Sequence, residues 1–368
     1  MLSRKRMEKT FLDMISVYSP SKGEKEMCDW IVEYLKARNI DYLTDKAGEA
    51  YGGNGYNIVG LLKGNTDKMP ICFAAHLDQI EPCKDVKPVI EGDIIRTDGT
   101  TTLGGDDKGG VAAILEAVED IIETDTPHGD IYLLFTVSEE ISMLGAKNMD
   151  YSILPCKDIV VADAAGATGV IAYKAPAMEA IEVTFHGRKA HAGIEPEKGI
   201  NAIVVASKAI ANMEIGRLDE ETTSNIGRIE GGSATNIVTD KVTFTAEVRS
   251  HDMDKLKKTV ANMEEACKKA CDEMGATCDF VHELAYPTMS LDLESDLYKQ
   301  TKEAMIKEGI EPSTVIIGGG SDANILAGQG YRSVIISVGM KDVHTVDESI
   351  DMAELFKACK VMRRMMGE

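Results

Sequence analysis

No apolar run in this chain approaches the ~20 residues a membrane-spanning helix needs; stretches such as Ile71 to Leu77 are far shorter. The eight cysteines include no Cys-x-x-Cys pair. Their scatter through strand-like and helix-like segments points to reduced, buried thiols, not to a disulfide framework or a thiolate zinc site. Basic residues are also short: Lys and Arg number 40 against 61 Asp and Glu, a formal net charge of -21. Such a surface repels nucleic-acid phosphates and anionic lipid, so neither a nucleic-acid nor a membrane partner is expected. The basic start, Met1 to Lys9, runs into an amphipathic helical pattern and not into the apolar stretch of a signal peptide. Repeats, low-complexity tracts and flexible linkers are missing too. The expectation is a soluble, cytoplasmic protein.

What is present is length and alternation. With 368 residues and 44% hydrophobic content, two cores are favoured over one. Helical patterns at Met7 to Val17, Glu24 to Ala37 and Gly109 to Ile122 alternate with strand-like runs at Tyr56 to Leu62, Ile71 to Ala75, Ile131 to Val137 and Ile159 to Ala162. That alternation predicts an α/β fold: a mainly parallel sheet with helices on both faces. From about Ala180 the order becomes β-α-β-β-α-β, which suits an inserted ferredoxin-like α+β module. Helices at Leu297 to Glu308 and Met352 to Met365, with a strand at Val334 to Ser337, then resume the first pattern. The expected division is a discontinuous domain, 1–178 and 288–368, around an insert, 179–287.

The polar residues that could carry chemistry stand where predicted strands end, the place where open α/β sheets form ligand crevices. His76 and Asp78 lie two apart and so share a face, as a metal ligand and its orienting carboxylate would; alone, His-x-Asp is more often a chance surface pair. Asp106 and Asp107, flanked by glycines before a long helix, read as ligands or as an ordinary acidic N-cap. Glu139 and Glu140 point to opposite sides if extended, so one can bind metal while the other moves a proton; a solvated acidic strand end would look similar. Asp163 and His344 follow two further strands. Two imidazoles with several carboxylates match the nitrogen and oxygen donors of a two-metal hydrolase.

In order, AHLD, GGDDKGG, SEEISMLGA, ADAAG, RKAHAG, GGSATNIV, GGGSDAN and VHTVDE resemble the motifs of the two-zinc peptidases that include tripeptidase T, glutamate carboxypeptidase and succinyl-diaminopimelate desuccinylase. The resemblance spans almost the whole chain and is closest to the tripeptidase T-like branch. It implies His76 and Asp163 on one metal, Glu140 and His344 on the other, Asp106 bridging, Glu139 as general base toward a water shared by the metals, and Asp78 orienting His76. It implies a cis Asp106–Asp107 peptide. The insert becomes a lid and dimerisation domain whose His191 reaches a partner subunit's active site. Asn236, Arg249, Gly319, Gly320 and Ser321 become substrate contacts, the Arg249 fork suited to a peptide carboxylate. Lys108 reads as structural or solvated. Ser142, Thr239 and the Ala pair after Asp163 depart from the pattern without removing a ligand.

The implied activity is removal of the N-terminal residue from short peptides, as in tripeptide aminopeptidases, using two divalent ions, zinc first, with manganese or cobalt compatible, in a homodimer formed through the insert. A dipeptidase or N-acyl amino acid amidohydrolase on the same scaffold is the alternative. A non-catalytic, zinc-stabilised dimer is another, against which an unliganded Glu139 argues.

Overall fold

The computed structural model describes residues 1–367; Glu368, the last residue of the expected second segment, lies outside the described residues. The chain divides into a larger unit, residues 1–174, 289–317 and 321 onward, and an inserted unit, residues 175–288 with 318–320.

In the larger unit a sheet runs, in spatial order, Asp41–Thr44, Ile58–Leu62, Ile131–Thr136, Ile71–His76, Asp158–Ala164, Arg332–Ser337, Val170–Ala175 and Met289–Ser290, with Ser313–Ile316 beside Val170–Ala175. Its centre is parallel: Ile71–His76 pairs in parallel with both neighbours, and Arg332–Ser337 with Asp158–Ala164. Outside that centre Asp41–Thr44, Ile58–Leu62 and Val170–Ala175 join antiparallel, while Ser313–Ile316 pairs in parallel with Val170–Ala175. Strands covered on both faces are apolar throughout instead of alternating, and all six residues of Ile71–His76 are buried. The covering helices include Gly105–Thr124, packed against Arg4–Ile15 and Met352–Gly367. Phe73 and Phe135 are fully buried beneath them, each side chain contributing about 1.5–3 kcal/mol of transfer free energy.

A smaller four-stranded sheet, Met340–Lys341, Ser349–Asp351, Ile94–Arg96 and Val89–Glu91, lies in the same unit. The sequence reading did not anticipate it, because strands of two or three residues are too short for a period-2 signal.

The inserted unit has the ferredoxin-like order expected: Thr222–Gly231, Lys241–Ser250, Ala177–His186 and Thr277–Tyr286, all antiparallel, with short Gly216–Arg217 at one edge. Along Ala177–His186 buried and more exposed residues alternate. The buried face, with Val183, Phe185 and Phe244, packs under Ala202–Ala211 and Met253–Met274. The second helix is bounded by ordinary cap chemistry. Asp252 accepts from the amides of Asp254 and Lys255, and Gly275 takes the left-handed turn at φ 68° that side chains resist.

Seven of the eight cysteines are buried and all are free thiols. Among the described residues no helix is long and apolar enough to cross a membrane.

Candidate active site

Strand register decides which side chains can meet. His76 pairs with Thr136, so the segments that follow, Leu77-Asp78 and Val137 to Glu140, leave the sheet at one level. Ala74 pairs with Val161, which puts Asp163, two residues on, level with His76. The Asp78 carboxylate then accepts the backbone amides of Glu139 (2.9 Å) and Glu140 (3.2 Å) and the Ser21 hydroxyl (2.7 Å). Its Oδ1 also lies 3.4 Å from His76 Nδ1. His76 Nδ1 is nearer still to the Asp78 backbone carbonyl oxygen, at 3.1 Å, so Asp78 holds the imidazole through its backbone and carboxylate together while the carboxylate also fixes the start of the Glu139-Glu140 turn.

Asp106 and Asp107 come from the start of Gly105–Thr124, where both have non-helical dihedrals and the peptide between them is cis. Glycine is needed around them. Gly104 has φ 82°, and a Cβ there would sit 2.6 Å from Gln79 Oε1; at Gly110 it would sit 2.4 Å from both Ala162 O and Asp107 Oδ1. Asp106 turns Oδ1 to His76 Nε2 (3.0 Å) and Oδ2 to His344 Nε2 (3.1 Å). His344 Nε2 also lies 3.0 Å from Glu140 Oε2, and His76 Nε2 3.9 Å from Asp163 Oδ1. His344 holds this position with φ 65°, a conformation uncommon outside glycine that clusters at functional sites.

The donor atoms of His76, Asp106 and Glu140 lie within 4.8 Å of one another, as do those of His76, Asp107 and Asp163. Asp107 was expected only as half of the acidic pair, with no role of its own from the resemblance. Its oxygens accept the amides of His76 and Gly110, each at 3.2 Å, so it braces the His76 strand end as well as adding charge.

The electrostatics suit the binding of cations. Burial pushes the carboxyls of Glu139 and Asp163 well above the usual range, opposed by His76, with Asp163 crowding Glu139 and Asp106 crowding Asp163. Burial likewise raises Asp322 to about 6. Burial also works against ionised Asp106, but hydrogen bonds from His344 and His76 outweigh it and hold that carboxyl well below the usual range. The same bonds, from Asp106 and then Glu140, lift His344 to about 10. Carboxylates outnumber the imidazoles that could neutralise them, and buried charge of this kind is paired or coordinates metal. Nitrogen and oxygen donors in this arrangement fit a divalent cation.

Glu348, Asp322 and Lys108 surround the cluster. Asp322 accepts from the Thr136 hydroxyl, and its other oxygen is buried without a partner. Lys108 is fully buried, not solvated, donating to Gln79 Oε1 (2.9 Å) and Val17 O (3.1 Å), with burial lowering it to about 8. Asp322 and Glu348 stand inside the GGGSDAN and VHTVDE motifs, the only signal by which they could have been found.

Of the remaining expected residues, Ser321 caps the helix Asp322–Gly328 in a capping box with Asn324. Gly319 and Gly320 group with the inserted unit, where a Cβ on Gly320 would strike the Tyr286 ring. His191 and Asn236 are exposed on that unit and near each other: His191 bridges to Ile237, and Ala192 N donates to Asn236 O at 3.0 Å. Arg249 is engaged already. Its Nε and Nη2 each lie 3.0 Å from an oxygen of Glu247, and Nη1 donates to Gly318 O.

Comparison with known proteins follows the same division. The peptidase dimerisation domain family matches residues 178–275, and peptidase family M28 matches residues 57–179. The structure of aminopeptidase PepT from Bacillus cereus superposes with a TM-score of 0.94 at 36% identity, covering 100% of this chain and 98% of that one. A tripeptidase structure from Staphylococcus aureus gives 0.97 at 33% identity with the same coverage. A Bacillus subtilis protein, YqjE, is 38% identical over 100% of this chain and 99% of its own length. The chain belongs to the peptidase T-like metallopeptidases, the family of these aminopeptidases and tripeptidases.

Proposed function

We propose that the chain removes the N-terminal residue of short peptides, tripeptides among them, with His76, Asp106 and Asp163 holding one divalent ion and Asp106, Glu140 and His344 a second. The observation that carries this reading is the Asp106 carboxylate, with one oxygen facing each imidazole. Zinc suits the donor set, and manganese or cobalt would be tolerated. Bound cations supply Lewis acidity at the scissile carbonyl and bring the pKa of the attacking water toward about 7. Glu139 takes that water's proton and returns it to the leaving amine. Asp78 keeps His76 oriented and the Glu139 amide anchored. His191, exposed on a unit that matches a dimerisation domain, is available to polarise the carbonyl in a second copy's site, which supports a homodimer.

The test is a panel of di- and tripeptides, each with its N-acetylated counterpart, assayed with and without chelator. Chelator-sensitive cleavage of peptides with a free α-amino group, tripeptides among them, and not of their N-acetylated counterparts is expected. Preference for N-acylated substrates would replace the aminopeptidase reading with an amidohydrolase one, and turnover indifferent to chelator would end both.

Arg249 adds a prediction of its own. A peptide's C-terminal carboxylate must displace Glu247 from the guanidinium fork, and a partly exposed pair of this kind is worth about 0.2–1 kcal/mol. Glu247→Gln is therefore expected to lower KM up to about fivefold for free-carboxylate peptides, with kcat unchanged. C-terminally amidated peptides should not respond; an equal response would remove Arg249 from carboxylate recognition.

A further inference from the structure

Glu348 is 1% exposed and stands four residues after His344, just before the strand Ser349–Asp351. Its Oε2 accepts the amides of Leu103 (2.6 Å) and Gly104 (3.0 Å), and its Oε1 accepts the amide of Asp106 (2.9 Å). One carboxylate thus takes three backbone donors from the loop that delivers Asp106. The same turn of chain, 342–348, delivers His344 and is closed at its base by the pairing of Lys341 with Ser349. We infer that Glu348 is a positioning residue: it latches the Asp106 loop to the His344 loop and so sets the separation at which the two donors address a shared cation.

The inference rests on the metal reading above. A carboxylate is acceptor-only, with capacity for all three amides, and hydrogen bonds to its charge are shorter and stronger than neutral ones. A carboxamide of the same shape must turn its NH2 toward either Asp106 N–H or the Leu103 and Gly104 pair. In Glu348→Gln one side of the latch therefore opens. A purely structural carboxylate would show its loss in the stability of the metal-free chain alone. A latch shows it also in how the site binds metal.

The experiment strips full-length wild type, Glu348→Gln and Gly105→Ala of metal and titrates each with Co2+. The visible absorption spectrum and competition with a chromophoric chelator are read, alongside thermal unfolding of the metal-free chains. Gly105→Ala leaves Glu348 in place but puts a Cβ 3.0 Å from its Oε1, pressing on the latch from the other loop. Glu348→Gln is expected to weaken Co2+ binding about 10- to 100-fold, the range for residues that orient metal ligands, and to alter the spectrum; Gly105→Ala should move both in the same direction by less. A folded Glu348→Gln with wild-type affinity and spectrum overturns the inference. If Glu348→Gln does not fold, Gly105→Ala decides: wild-type binding by that variant overturns the inference as well. Wild type that takes up no Co2+ would instead bring down the metal reading and the latch with it, whereas normal wild-type binding beside unaffected variants removes the latch alone.

Discussion

Glu139→Gln is expected to lower kcat by about 10²- to 10⁴-fold, the usual contribution of a positioned general acid-base group, while metal stoichiometry stays at the wild-type value. The carboxamide keeps the volume and leaves the backbone anchor untouched, since that anchor is the Glu139 amide donating to Asp78. What is lost is the ability to take a proton. The substitution also removes an ionisable group from a cluster where Asp163, Asp322 and Glu140 crowd it, so metal-free stability should hold or rise. Turnover of a tripeptide and elemental analysis of the same preparation make the check. Activity within tenfold of wild type, with metals retained, would take the base role away from Glu139.

Metal removal carries the second large effect. Chelation is expected to abolish turnover reversibly. It should also lower the unfolding temperature on the order of 5 °C, because a ligand at 100 times its Kd stabilises by about 2.7 kcal/mol. The pH response should invert with it. Asp322, raised from 3.8 to about 6, contributes stability that is fully present below 3.8 and is lost as pH rises through about 6. His344, raised to about 10, contributes fully below 6.5 and loses that only at higher pH. Asp106, held below the usual range, loses its contribution only in stronger acid. Between pH 7 and pH 5 the metal-free chain should therefore gain stability. In the loaded chain protons compete with cations for the same donors, so stability should fall over that window. Unfolding temperatures at the two pH values, with and without metal, decide; parallel trends would mean that the cluster does not hold cations.

The parts of this site that were legible in the sequence share one property. His76, Glu139, Glu140 and Asp163 each stand at, or within a few residues of, the end of an apolar strand, so knowing that the strands are neighbours nearly determines that the side chains are. Glu348 was not legible, because its role consists of amides 242 to 245 residues away in sequence, and a lone Glu after Asp347 carries no periodicity. Asp107 was legible only as half of an acidic pair: the resemblance gave its neighbour the ligand role, and its own bracing of His76 exists only once strand and helix are packed. Ser142 teaches the reverse lesson. It departs from an expected glycine, and its φ of 73° shows what the glycine expectation encodes, a left-handed residue just beyond the Glu139-Glu140 turn.

The place of Arg332–Ser337 in the sheet has a consequence for biosynthesis. It lies between Asp158–Ala164 and Val170–Ala175, both translated long before it, with the whole inserted unit emerging in the interval. Until Arg332–Ser337 emerges the sheet is half-built, with an open slot of unpaired backbone that is a template for wrong partners, and the helix layer waits for Met352–Gly367. The inserted unit, uninterrupted apart from residues 318–320, can finish first, which leaves the larger unit as the part exposed longest to mispairing during synthesis.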